Sequence, residues 1–123
     1  MARPRITEAL RKAATPFGVN DMAQKAAVAS LAAYDELEER VQALVAERRR
    51  VVEALADADL NIPDTQANFV WLPLGDDALA FAAAADQEGL VVRPFDGDGV
   101  RCSIGEVEAN DRLIEVCREF RNR

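Results

Sequence analysis

The sequence holds no histidine, only two lysines (Lys12 and Lys25), two cysteines and a single tryptophan among its 123 residues. Each scarcity removes a class of chemistry. Without histidine there is no Ser-His or Cys-His nucleophile pair and no histidine metal cluster, which excludes most hydrolases. Cys102 and Cys117 are too few for a zinc finger. Both sit in apolar runs, so they read as small buried thiols of a reducing compartment and not as a disulfide framework. No stretch approaches the length of uncharged apolar residues that a membrane span needs, and the two arginines between Met1 and Ile6 are not followed by the apolar region of a secretory leader. Basic residues are also in deficit: 15 against 22 acidic ones give a net charge of -7, which repels phosphate backbones and anionic membranes. The expectation is a cytoplasmic protein with no nucleic-acid partner and no membrane partner.

What remains is an ordinary globular composition of one-domain size, 50% hydrophobic and 30% charged. Ile6 to Ala14 is weakly helical and is broken by Pro16 and Gly18. Asn20 is a good N-cap, with Asp21 in the first turn of a helix from Met22 to Tyr34 whose alanines lie on every side. From Asp35 to Ala58 the residues Leu37, Val41, Leu44, Val45, Val52 and Leu55 recur at helical spacing, which makes this the longest predicted helix. The period then changes to two. Asn68 to Leu72 reads as a strand closed by Pro73, and a short helix from Ala78 to Gln87, capped by Asp76 or Asp77, ends at Gly89. Leu90 to Arg93 and Val100 to Ile104 read as two further strands joined across Asp96-Gly97-Asp98-Gly99. A last helix from Val107 to Arg121 buries Leu113, Ile114, Cys117 and Phe120. The order is that of an α+β layer of helices on a small sheet.

Between Val51 and Asp111 the chain has no lysine and just two arginines, Arg93 and Arg101, each inside a predicted strand. Two-residue alternation puts Val100, Cys102 and Ile104 on one face and Arg101 on the other. A guanidinium held by a strand suits bidentate capture of a carboxylate or phosphate, because its fork is rigid and its charge permanent. Spacing alone leaves a second reading equally open, an internal salt bridge to Asp96 or Asp98. The Asp-Gly repeat lacks the third oxygen ligand and closing glutamate of a calcium loop and the third glycine of a dinucleotide fingerprint, so it is a turn. Asn68 is either a satisfied polar residue or a ligand contact, and Phe69 and Trp71 are expected in the core.

Several runs in one order carry a resemblance. Thr15-Pro-Phe-Gly-Val-Asn20 precedes the Ala-rich helix. Gln66-Ala-Asn-Phe-Val-Trp71, Val91-Val-Arg-Pro94 and Val100-Arg-Cys-Ser-Ile-Gly-Glu106 follow it, with Glu108 and Asn110 behind. Together they resemble the carboxy-terminal part of histidinol-phosphate and aromatic amino acid aminotransferases, pyridoxal-phosphate enzymes of fold type I, class I/II. The resemblance implies an α+β small domain, with helices on a mainly antiparallel sheet, over 35–123. Its long leading helix is 35–58, and a helical remnant of the large domain precedes it over 1–34. It matches Arg101 to the arginine that takes the substrate α-carboxylate, Arg93 to the one that helps hold a phosphate or side chain, and the loop Pro16 to Asn20 to a segment at a dimer interface. Asn68 is carried as a further substrate contact. Cys102 departs from the family's usual β-branched residue. Neither Lys12 nor Lys25 matches the cofactor-binding lysine, and the phosphate cup has no counterpart. The resemblance therefore implies a piece of an enzyme acting on amino acids and 2-oxo acids. This chain alone is expected to bind no cofactor, to be inert and to form a homo-oligomer. The competing expectation is a free-standing α+β module that binds a small anion.

Overall fold

In a computed structural model of the chain the described residues are 4–58 and 60–122, so residues 1–3, 59 and 123 of the sequence-drawn segments lie outside them. The chain divides into two compact units, residues 1–37 and 38–123.

The first unit holds α1 (Pro4–Ala13) and α2 (Asp21–Ala32). Pro4 suits the first helical turn, where its missing N–H has no partner to lose. Asn20 caps α2 as its side-chain chemistry predicts, the Oδ1 accepting the Ala23 N–H at 2.8 Å. Neither helix buries a residue. Between them Phe17 takes a left-handed backbone, φ 54°, with its ring 98% exposed.

The third helix, α3 (Tyr34–Asp57), is the long one expected, and it supplies Val51 and Leu55 to the core of the second unit. The sheet comprises β1 (Phe69–Gly75), β2 (Arg93–Phe95) and β3 (Asp98–Ser103), all antiparallel, in the order β1-β3-β2. The remaining helices are α4 (Ala78–Gln87) and α5 (Val107–Arg121). One sheet face, carrying Val70, Leu72, Val100 and Cys102, packs with Ala78, Phe81 and Ala85 of α4 and with Leu113, Ile114, Val116 and Cys117 of α5. Burying such side chains contributes about 1.5–3 kcal/mol each for the larger aliphatic and aromatic ones. Among the described residues no helix is long and apolar enough to cross a membrane.

Five expectations are corrected. Pro73 does not close β1, which runs on to Gly75. The ladder shifts register between Leu72 and Gly75 and β1 is an edge strand, so the N–H that proline lacks is not missed. Leu90 to Val92 form no strand. The β2 ladder holds only Arg93, Pro94 and Phe95, because Leu90 and Val92 turn to pack on the core and leave Val91 95% exposed. Only the first Asp-Gly pair makes the turn, where Gly97 supplies φ 73°, and the second opens β3. Asp77 occupies the N-cap of α4 without making the side-chain hydrogen bond. Phe120 is half-buried and meets Phe81 edge-on at 5.3 Å.

Candidate functional site

The face of the sheet turned away from the core carries both arginines. Arg101 stands opposite Trp71 on one side and opposite Arg93 on the other, so the three form one cross-strand row at the middle of the sheet. Phe69, Ser103 and Phe95 are in phase with them, in agreement with the alternation that set Arg101 apart from Val100 and Cys102.

The two guanidiniums do not stay together. Arg101 Cζ lies 4.9 Å from the centroid of Phe69, which stands opposite Ser103, so this side chain leans toward the Ser103 end of β3. Arg93 Cζ lies 5.1 Å from the centroid of Phe95, which stands opposite Gly99, so it leans toward the turn. Like charges directly opposite one another on adjacent strands repel, and each ring offers its cation an electrostatic cushion of about 0.5–1 kcal/mol at an exposed position. Among the described residues neither guanidinium has an ion pair. The salt bridge to Asp96 or Asp98 is not formed. Two unneutralised forks on one open face can take two anionic groups at separate points, or the two ends of one ligand.

Asn68 is exposed just before β1 and makes no side-chain hydrogen bond among the described residues, while its backbone carbonyl accepts the Ile104 N–H at 2.9 Å. By alternation it is in phase with Val70, not with the arginine row. Phe69 and Trp71, expected in the core, are half-buried on the arginine face. The signal for this was present: they share one phase, and Val70 and Leu72 share the other. Gly99 is not the turn glycine that the Asp-Gly repeat suggests. It is buried in β3, where an added Cβ would stand 2.4 Å from the Leu72 carbonyl oxygen and 2.7 Å from Trp71 Cζ2. The indole lies across this position and meets Phe95 at 5.4 Å.

The end of the sheet toward which Arg101 leans is tied by polar side chains from elsewhere. Arg48 of α3 donates to the Ala67 carbonyl at 2.9 Å and to Gln66 Oε1 at 3.5 Å. Thr65 Oγ1 donates to the Phe69 carbonyl at 2.9 Å and accepts from the Ala67 N–H. Asn110 of α5, 1% exposed, accepts the Gly105 N–H and donates to both the Gly105 carbonyl and Glu47 Oε1. Arg50 pairs with Glu47 and, at 2.7 Å, with Asp111. Hydrogen bonding to Arg50 holds the Glu47 carboxyl below its ordinary pKa, against an opposing desolvation, with Asn110 and the Arg50 charge adding to the lowering.

Other chemistry is thinly supplied. Burial raises both thiols, Cys117 to about 12 and Cys102 further, so neither is a nucleophile at neutral pH. No cluster of metal-ligating side chains occurs among the described residues. A lysine that carries a pyridoxal-type carbonyl compound needs a pocket that lowers its pKa. Lys12 and Lys25 instead lie on open helix faces, 76% and 70% exposed, paired to Glu8 at 2.8 Å and Asp21 at 2.7 Å. The described residues do not fit that cofactor.

Comparison with known proteins shows which proteins the chain is similar to. An aromatic amino acid aminotransferase of Streptomyces avermitilis is 57% identical over 121 residues, which are 98% of this chain and 34% of that protein. One of Thermobifida fusca is 52% identical over 123 residues, again 34% of its length. The chain thus spans about a third of the curated relatives it matches. The solved histidinol-phosphate aminotransferase of Clostridium acetobutylicum shares the fold, with a TM-score of 0.71 at 22% identity over 96% of this chain and 38% of that one. The family model for aminotransferase class I and II matches residues 1–116, and the chain belongs to that family.

Proposed function

We propose that this chain is the carboxy-terminal third of a pyridoxal-phosphate-dependent aminotransferase that moves an amino group between an aromatic amino acid, or histidinol phosphate, and a 2-oxo acid. The observation that carries the reading is the pair of unneutralised guanidiniums, neighbours in register yet leaning to opposite ends of one open sheet face. Arg101 takes the α-carboxylate through both arms of its fork. Arg93 takes the far end of the substrate, a phosphate where there is one. Asn68, exposed just before β1 and out of phase with the arginine row, is a third contact made from the rim of the sheet at the Arg101 end. The names of the relatives favour the aromatic donor.

In this reading the pyridoxal phosphate, which supplies the electron sink for amino transfer, is held by the other two thirds of the parent. Residues 1–34 belong with that large domain and 35–123 form the small one, with the helix over 35–58 leading into it. The apolar side chains exposed on the first unit, among them Leu10, Phe17, Met22 and Leu31, pack on the large domain and on a second subunit of a cytoplasmic homo-oligomer.

The test uses the intact parent. Arg101→Ala removes charge-assisted hydrogen bonds of about 1.5–3 kcal/mol each, so kcat/KM falls at least about tenfold for every amino donor. Arg101→Lys restores part of the loss, because it keeps the charge without the fork. Arg93→Ala costs much with histidinol phosphate and little with phenylalanine. The separate 123-residue chain, mixed with pyridoxal phosphate, develops no absorbance band of a lysine-bound cofactor and no turnover. An Arg101→Ala enzyme within twofold of the parent for every donor, with a lowered melting temperature, would show that Arg101 is structural.

A further inference from the structure

Outside the arginine row, polar ties converge on one end of the sheet. Those of Arg48 to the Gln66-Ala67 segment and of Asn110 to Glu47 join residues 18 to 63 positions apart in sequence. All act beyond the Phe69 and Ser103 pair, the last of the β1 and β3 ladder at that end. Gln66, Asn68 and Gly105 are exposed there, beside the buried Val70 and Ile104, so directional hydrogen bonds add to apolar packing in fixing the backbone. The two neighbours Glu47 and Arg48 divide the work. Successive residues of a helix point about 100° apart, and these two reach the two flanks of the strand pair. Arg48 holds the segment that leads into β1, and Glu47, through the buried Asn110, holds the Gly105 backbone that leaves β3.

We propose that Arg48, Glu47 and Asn110 are positioning residues for the carboxylate-binding guanidinium of Arg101. The inference rests on the role given to Arg101 above. The link between them is Phe69. Its ring carries the Arg101 guanidinium at 4.9 Å, its carbonyl is held by Thr65, and the preceding segment is held by Arg48. A fork that must meet a carboxylate along two parallel hydrogen bonds tolerates little displacement. The backbone that carries the ring is therefore held by Thr65 and, from α3, by Arg48, while the backbone leaving β3 beyond Arg101 is held from α5 by Asn110. The opposite end of the sheet, toward which Arg93 leans, has no such ties among the described residues and ends in a hairpin turn.

The experiment is a double-mutant cycle in the intact aminotransferase with phenylalanine as donor, crossing Arg48→Ala with Arg101→Ala. Arg48→Met, which keeps the apolar stem, serves as a second variant should alanine fail to fold. The expected result is a loss of at least about fivefold in kcat/KM on removing the Arg48 guanidinium, expressed in KM more than in kcat. Arg48→Lys recovers part of it, and the loss shrinks to less than about twofold when Arg101 is already alanine, because a residue acting through another has no effect in its absence. Equal losses in the two backgrounds, or no loss in either, overturn the proposal and leave Arg101's own role intact. An Arg101→Ala enzyme with parental kcat/KM overturns the reading of Arg101 itself, and the positioning role with it.

Discussion

Replacing Gly99 by alanine tests how the open face is built. The added Cβ would stand 2.4 Å from the Leu72 carbonyl oxygen and 2.7 and 2.9 Å from two indole carbons of Trp71. The ring can tilt away. The carbonyl belongs to a strand paired to β3 through Leu72 and Val100 and cannot yield without opening the ladder. Overpacking of this kind costs about 1–3 kcal/mol, and a displaced indole also loses the Phe95 contact, about 0.5–1.5 kcal/mol. Alanine returns roughly 0.5–1 kcal/mol by restricting the unfolded chain. The net is a destabilisation of about 1–3 kcal/mol, or about 4–8 °C in Tm per kcal/mol for a unit of this size. Because Trp71 is the single tryptophan, its fluorescence follows the unfolding and also reports any shift of the ring in the native state. Adding Trp71→Phe should recover only the ring's share, since the Leu72 carbonyl stays in place. A Gly99→Ala chain within about 0.5 kcal/mol of the parent, with unchanged native emission, would refute the close approach.

Two further outcomes follow from the ionisable groups. Glu47 has its folded-state pKa lowered from an ordinary 4.5, so the stability it contributes is fully present above that value and is lost as pH falls through the lower folded one. The gap in denaturant midpoint between the parent chain and Glu47→Gln should therefore close on acidification from about pH 6 to about pH 3, and a gap that stays constant refutes the assignment. Cys102 and Cys117 are buried with raised pKa values. The native chain should resist a thiol reagent at mildly alkaline pH and take up two equivalents once unfolded, whereas rapid labelling of either thiol in the native chain would contradict the burial.

Helices were legible because their signals are local. Asn20, with Asp21 after it, announces α2 and makes the capping bond, and the apolar spacing from Leu37 to Leu55 announces α3 as a helix, although its buried residues are Val51, which that spacing passes over, and Leu55, while Leu37 and Val41 stay exposed. Strand limits were not, because they depend on the partner. Pro73 stops a central strand but not an edge strand beside a register shift. The apolar run Leu90 to Val92 has strand composition, yet it pairs with no strand and its Leu90 and Val92 side chains pack on the core instead.

The site was legible by the same measure and failed by it. Alternation along one strand says which side chains share a face, and it placed Arg101 opposite to Val100 and Cys102 without reference to any other strand. It says nothing of register between strands, which here sets Arg93 against Arg101 and then, through repulsion, turns them apart onto Phe95 and Phe69. Nor does it say which aromatic residues belong to the core. Phe69 looks like a core residue until Arg101 is placed on its ring, and Trp71 until Arg101 is set opposite it across the strands. Charge settles the choice: an apolar face buried under two helices has no room for two permanent cations, so the strand phase that carries the arginines must be the open one, and the rings in that phase lie outside the core with them. Applied across all three strands at once, that step assigns Phe69, Trp71 and Phe95 to the arginine face from the sequence once the register is known.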